Sequence, residues 1–189
     1  MIDRIPEDRD GFRFRGGSRA LDLTATRQGR LKPAPRELLA TPQDLDCWLV
    51  SAGLAGGPPG ATLEDVQTAR ALREAIYVLA GGLDAPALDA AACTVLNRFA
   101  AAAPATPALR LDGRVELEGS AGALLATLAR DAVRLFGGEN APRIRQCEAL
   151  TCTIYFVDAS RSGHRRWCSM AACGNQAKVA ASRRRARKP

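Results

Sequence analysis

Apolar residues recur through the first 136 positions at the three- and four-residue spacing of helix faces. Leu63, Val66, Ala69, Leu72, Ile76 and Leu79 make one stripe, opened by Thr62 with Asp65 behind it and closed by Gly81-Gly82. Leu88, Ala92, Val95, Leu96 and Phe99 make a second, with Asp84 as its expected cap and Pro104 and Pro107 beyond its end. Leu124, Leu125, Leu128, Ala132, Leu135 and Phe136 make a third, stopped by Gly137-Gly138. Thr41-Pro42-Gln43-Asp44 is a helix start: a hydroxyl cap, a proline in the first turn and an acid at the positive dipole end. The helix DLDCWLVSA should follow and stop at Gly53, with 55–61 as linker. Ser18 is placed to cap a short helix over ALDLTAT, and the polar, proline-bearing stretch 27–40 reads as loop.

The two-residue period of strands appears twice in this part. Phe12 and Phe14 alternate with Arg13 and Arg15 before Gly16-Gly17. Leu109, Leu111, Val115 and Leu117 alternate with polar neighbours around Asp112-Gly113, a strong hairpin signal. The expected fold class is therefore α+β. It is a mainly helical N-terminal domain with one β-hairpin and a short N-terminal strand, followed by a second module of different character.

That second module begins near residue 140, giving expected domains of 1–139 and 140–189. Residues 1–139 carry 16 basic and 18 acidic side chains, a net of −2; residues 140–189 carry 11 and 2, a net of +9. The two sum to the formal +7 of the chain. A field of one sign, concentrated in one segment, attracts polyanions, although a solvated basic tail has the same composition. A 47% apolar, 25% charged chain of 189 residues excludes a disordered protein and a disulfide miniprotein. No apolar run is long enough for a membrane span. The charged start MIDRIPEDRDGFRFR lacks a secretory apolar core, so a cytoplasmic location is expected.

Four of the six cysteines fall within twenty-seven residues: Cys147 and Cys152, then fifteen intervening residues, then Cys168 and Cys173. Two C-x4-C pairs in a reducing compartment point to a metal, and four thiolates suit one structural zinc. The expected geometry is a treble-clef finger. TIYFVD would be a strand, DASRSGH a turn and RRWCS the returning strand, with Ser169 capping a helix that begins at Met170 and carries Cys173 in its first turn. Four thiolates on zinc leave a formal charge of about −2, so Arg143, Arg145, Arg165 and Arg166 read either as counterions or as surface cations. Cys47 and Cys93 read as core packing, and Trp48 and Trp167 as core anchors.

The helix after Cys173 is basic on several faces, which suits phosphate contact. Arg161, Arg165, Arg166, Lys178, Arg183, Arg184 and Arg185 are the candidate phosphate contacts. Asn175 and Gln176 have the side chains that pair with adenine edges, or else serve hydrogen bonding at the helix start.

The run from the first C-x4-C through IYFVDASRSGHRRWCSMAACGNQAKVAASRRRARK strongly resembles the CGNR-type zinc finger, with Gln176 where that motif has arginine. GGSRALDLTAT, TPQDLDCWLVSAGL, ALREAIYVL and TVLNRFAAAA resemble the ABATE domain that accompanies this finger, a family associated with stress-induced transcription regulation. Its LDFxNT motif stands here as Leu21 to Thr26, with Leu23 and Ala25 in place of the phenylalanine and asparagine.

The resemblance implies a bacterial-type, DNA-binding transcriptional regulator, with the finger as the nucleic-acid end and the helical domain sensing a small molecule or a partner. No residue in the helical domain marks a ligand pocket. A fifty-residue reader makes few base contacts, so specificity would call for a homodimer. The alternative is a zinc-stabilised protein-interaction adaptor, because finger folds also hold protein partners. An enzyme is not expected: four cysteines leave zinc no open position, and the first 139 residues contain no histidine and no nucleophile motif.

Overall fold

The computed structural model describes residues 7–186. Its order is a hairpin β1 (Asp8–Arg9) and β2 (Phe12–Arg13), helix α1 (Arg19–Thr24), a ribbon β3 (Arg27–Gln28) and β4 (Arg36–Glu37), then helices α2 (Pro42–Ser51), α3 (Leu63–Gly81) and α4 (Ala90–Ala101). The hairpin β5 (Thr106–Leu109) and β6 (Val115–Glu118) leads into α5 (Ala121–Phe136). The remainder holds the ribbon β7 (Ile144–Gln146) and β8 (Tyr155–Val157) and the final helix α6 (Asn175–Ala186). All four ribbons are antiparallel and two-stranded. No helix among the described residues is long and apolar enough to cross a membrane.

The helices form where periodicity and caps agree. Thr41 and Thr62 each close a capping box with the acid three residues on, Asp44 and Asp65. Each box satisfies backbone donors at the exposed helix start that have no partner within the helix. α3 packs against α4 and α5, α4 also packs on α5, and α1 rests on α3 and α5. The core they enclose is built from Leu21, Leu23, Trp48, Leu72, Ile76, Leu124 and Leu128, all fully buried.

Several local expectations are corrected. The second helix starts later than Asp84, because Asp89 is its cap and accepts from the Ala92 amide at 2.7 Å. Leu63 and Leu88 consequently lie at or before the first turns and stay outside the core, 67% and 38% exposed. The β5–β6 ladder ends at Leu109↔Val115, and five residues, Arg110 to Arg114, make the connection. Asp112 accepts from the Arg114 amide at 3.0 Å and Gly113 donates to the Arg110 carbonyl at 2.9 Å, which widens the turn beyond two residues. Cys47 is exposed rather than packed in the core, and Cys93 is half-buried.

The stretch 27–40 is not free loop. Arg73 on α3, 2% exposed, clamps Glu37 with two bonds of 2.6 and 2.7 Å, bonds Glu74 at 2.8 Å and reaches the Thr26 hydroxyl at 3.2 Å. A buried guanidinium needs this full set of acceptors, and supplying them pins β3–β4 to the helical core.

Gly16 ties the two ends of the chain together. Its amide donates to the Asp22 carboxylate at 2.7 Å, and its carbonyl accepts from the Val157 amide at 2.8 Å. A Cβ there would come within 2.7 Å of the Leu21 Cβ, so only glycine fits. Val157 belongs to the main core, Tyr155 and Ile144 pack on it, and β8 contacts both α1 and α3.

Burial pushes the Asp22 carboxyl up to about 7, despite hydrogen bonds from the Gly16 and Arg15 amides. An aspartate in an unfolded chain titrates near 3.9. The folded form therefore holds its proton more tightly, and the resulting stabilisation is full below about pH 4 and lost as pH rises toward 7. Asp22→Asn, which keeps an acceptor for Gly16, should raise stability relative to wild type at pH 8 and much less at pH 4. Urea denaturation of both proteins across that range measures the difference, and a difference that does not change with pH would refute the assignment.

Candidate metal centre

The four cysteines sit on three short pieces of backbone. Cys147 follows β7 and Cys152 precedes β8, so the first pair closes the tip of that ribbon. The Cys152 amide donates to the Ala149 carbonyl at 2.8 Å and the Cys147 amide to the Ile154 carbonyl at 3.0 Å, which makes the turn tight. The second pair spans a single wide turn, Met170–Gly174, leading into α6. Ser169 caps it, accepting from the Ala172 amide at 3.2 Å, and the Gly174 amide reaches back to the Ser169 carbonyl at 2.9 Å. The five-residue reach of that bond is π-type and places Cys173 on the inner side of the turn.

The sulfurs of Cys147, Cys152, Cys168 and Cys173 all lie within 4.8 Å of one another. Cys152 to Cys168 is 3.8 Å and Cys168 to Cys173 is 3.7 Å. Sulfurs about 2.3 Å from a tetrahedral zinc are separated by about 3.8 Å, so these two spacings match. The charge state agrees. Hydrogen bonds from Cys152 and Cys168 push Cys147 down to about 2. Hydrogen bonding to the Cys147 sulfur pushes Cys152 up to about 12 and raises Cys168 as well. A divalent cation allows all four to be thiolates. The donor set is that of one structural zinc, with its four positions filled.

The module around the sulfurs keeps the knuckle and helix of the expected finger and differs in its hairpin. TIYFVD does form a strand, but its partner is β7, in the register Ile144↔Val157 and Gln146↔Tyr155. RRWCS is not a strand. The Val157 amide, facing away from β7, is already bonded to Gly16. The Arg166 carbonyl takes the Glu148 amide at 3.0 Å, and the Cys168 amide points to the Cys147 sulfur at 3.4 Å. Asp158 shapes the turn: it accepts from the amides of Ser160 and Arg165, each at 2.9 Å, and from the Ser160 hydroxyl. Those bonds, led by the hydroxyl, hold its carboxyl down to about 2.

Each arginine expected near the cluster has a definite place. Arg143 bonds the carbonyls of Asp158 and Ser160, both at 2.8 Å. Arg145 lies 3.7 Å from the Asp158 carboxylate. Arg165 is turned inward, bonding the carbonyls of Trp167 at 2.8 Å and of Cys168, with its guanidinium over the Phe156 ring. Arg166 pairs with Glu148 at 2.6 Å. The cation beside the sulfurs is instead Arg15, from the N-terminal segment. Burial opposes its charge, but Asp8 and the Cys168 sulfur together raise its pKa. Ala25, at the end of α1, packs in the same cluster as Phe156 and the cysteines.

Arg161, Lys178 and Arg183 are exposed, as are Asn175 and Gln176. The Asn175 side-chain Nδ2 donates to the Ala171 carbonyl at 3.1 Å, a bond at the helix start. Arg184 and Arg185 belong to the backbone of α6, and their side chains lie outside the described residues. Sequence reasoning missed Arg15 and Gly16. The local signal was there: residues 13–36 hold seven basic residues against one acid, Asp22, a contrast hidden by the balance of the whole domain.

Two family models match the chain. One, described as "Putative stress-induced transcription regulator" and named ABATE, covers residues 17–139. The other, the CGNR zinc finger, covers residues 143–186. No curated protein matches the chain.

Purified protein should carry one zinc per chain by elemental analysis. Cys168→Ser, at the fully buried sulfur, should abolish that stoichiometry. Chelation should collapse the 143–174 region, seen in the fluorescence of partly buried Trp167, while the helical circular-dichroism signal largely persists. An unchanged Trp167 signal after complete zinc removal would refute the folding role.

Proposed function

The chain belongs to the ABATE family and ends in a CGNR zinc finger, and from that premise we propose a DNA-binding transcriptional regulator whose finger contacts the duplex. The observation that carries this reading is the run after Asp158, which holds nine basic residues and no acid and whose part up to Gly174 closes the metal centre. Lys178 and Arg183 stand exposed on α6, and Arg161 stands exposed in the turn that Asp158 organises. Zinc would act by fixing the start of α6 against the ribbon, so that these cations sit on a rigid surface. Rigid presentation lowers the entropy cost of each phosphate contact.

In this reading Arg161, Lys178, Arg183, Arg184 and Arg185 neutralise phosphates and release counterions. Arg165 supports the site through the carbonyls it holds, acting as a positioning residue rather than as a contact. Arg166 reaches a phosphate only by exchanging Glu148 for it. Asn175 and Gln176, at the exposed start of α6, are the base-reading candidates, with a second copy of the chain extending the site. The helical domain would sense a small molecule or partner. Four cysteine ligands leave zinc no open position, so in this reading its role is structural.

One observation favours the adaptor alternative. Leu150 is 90% exposed at the tip of the first knuckle, beside a shallow apolar cleft lined by Ala149, Trp167, Ala177 and Ala180. Such a surface suits a protein partner better than a phosphate.

Mobility of a random-sequence duplex separates the two readings. The zinc-loaded protein should retard it at low salt and lose affinity steeply as salt rises. Lys178→Ala with Arg183→Ala should weaken binding on unrelated sequences alike and reduce the log–log salt slope by roughly two. Absence of any shift at low salt would overturn the DNA reading in favour of the adaptor.

A further inference from the structure

Between the finger and the N-terminal segment lies an open cleft of about 460 Å³. One wall comes from the finger: Thr151 and Cys152 of the first knuckle, Ala172 and Cys173 of the second, and Gln176 at the start of α6. The other wall comes from β2 and the β3–β4 ribbon. It presents Arg13, Lys32 and Arg36, with Arg15 behind them, and no carboxylate lines the cleft.

These cations differ from their neighbours in sequence. Of the seven basic residues in 13–36, Arg15 is paired with Asp8, Arg27 and Arg30 with Glu74, and Arg19 bonds the Ala52 carbonyl. Arg13, Lys32 and Arg36 have no carboxylate partner among the described residues, and all three line this cleft. Their placement is built. The Lys32 amide bonds the Gly29 carbonyl at 2.8 Å, and its methylenes lie over Gly29, 3.1 Å from where a Cβ would stand. Gly29 has a φ of +65°, which suits glycine. Arg36 pairs across the ribbon with Gln28 and adjoins Glu37, which buried Arg73 locks to α3. The loop that carries these charges is thus fixed to the helical core.

The geometry points to a second phosphate-binding surface, on the helical domain: Arg13, Lys32 and Arg36 hold the DNA backbone alongside the finger, so that both modules contact one duplex. The inference rests on the DNA-binding reading and extends it to a domain whose expected role was sensing alone. The three cations come from separate positions on two ribbons, which suits a row of phosphates better than one small anion. They make no base-specific fork, so their contribution is to affinity and orientation rather than sequence choice. The cleft also runs to Gln176, so a strand held here would pass the base-reading end of α6.

The test uses full-length, zinc-loaded protein and a fluorescent random-sequence duplex of about 20 base pairs, titrated at several salt concentrations. Arg13→Ala/Lys32→Ala/Arg36→Ala should weaken binding at least tenfold at low salt and reduce the salt slope by roughly two to three, one for each lost phosphate contact. Lys32→Glu/Arg36→Glu changes only exposed side chains and serves as a second variant; it should weaken binding further. Both must keep one zinc per chain and the wild-type helical signal. Wild-type binding with an unchanged slope in both variants overturns this surface and leaves the finger reading intact. A loss confined to one DNA sequence overturns the phosphate assignment. Failure of the wild-type protein to bind any duplex overturns the regulator reading itself, and this surface with it.

Discussion

Four sulfurs drawn to a single cation organise the last quarter of the chain. The segment 143–174 has one three-residue ribbon, one wide helical turn and few apolar side chains, of which Ile154, Phe156 and Val157 are buried, Val157 in the core of the helical domain. That is too little burial to order the segment by itself. Structural zinc supplies about 10–16 kcal/mol in finger peptides, and packing on the helical domain adds to it. The start of α6, and hence every cation along that helix, takes its position from Cys173.

The metal centre does not stand apart from the helical domain. Val157 packs in the main core, Ala25 packs among the cysteines, and Gly16 is bonded to Asp22 on one side and Val157 on the other. Arg15 brings a positive charge to the thiolates from the N-terminal segment. The family motif GGSRALDLTAT thus makes the seam: two glycines where backbone meets backbone, a buried acid that holds the first of them, and a small residue where α1 ends against the cluster. Ala25 fits that tight position. A seam of this kind makes the surfaces of the two modules continuous.

Most of the helical domain is legible in the sequence because periodicity and caps agree there. Thr41–Asp44 and Thr62–Asp65 announce their helices, and the stripe on α5 is buried except for half-buried Leu135, with Ala121, Ala126 and Ala129 widening the buried face. The four cysteines are equally plain, because ligand spacing is local. What escapes is set by contacts distant in sequence. The 27–40 stretch carries no strand pattern, since its ribbon is held by Glu37 meeting Arg73 on α3. RRWCS has the look of a strand but loses that role because Gly16, some 140 positions earlier, takes the bond at Val157. Arg165 reads as a surface cation until Trp167 and Cys168 turn their carbonyls toward it.

Net charge conceals a comparable arrangement. The helical domain sums to −2, yet residues 1–12 carry −2 (two basic, four acidic), residues 13–36 carry +6 (seven basic, one acidic) and residues 37–139 carry −6 (seven basic, thirteen acidic). Some of those acids lie against the positive segment, as Glu74 does on Arg27 and Arg30, so the cations left without a carboxylate among the described residues, Arg13, Lys32 and Arg36, set the local sign at the cleft beside the finger. A polyanion approaching within a Debye length, about 8 Å at physiological salt, feels that local sign rather than the sum. In the DNA-binding reading proposed above, attraction at that cleft would orient a duplex beside the finger before any base is read.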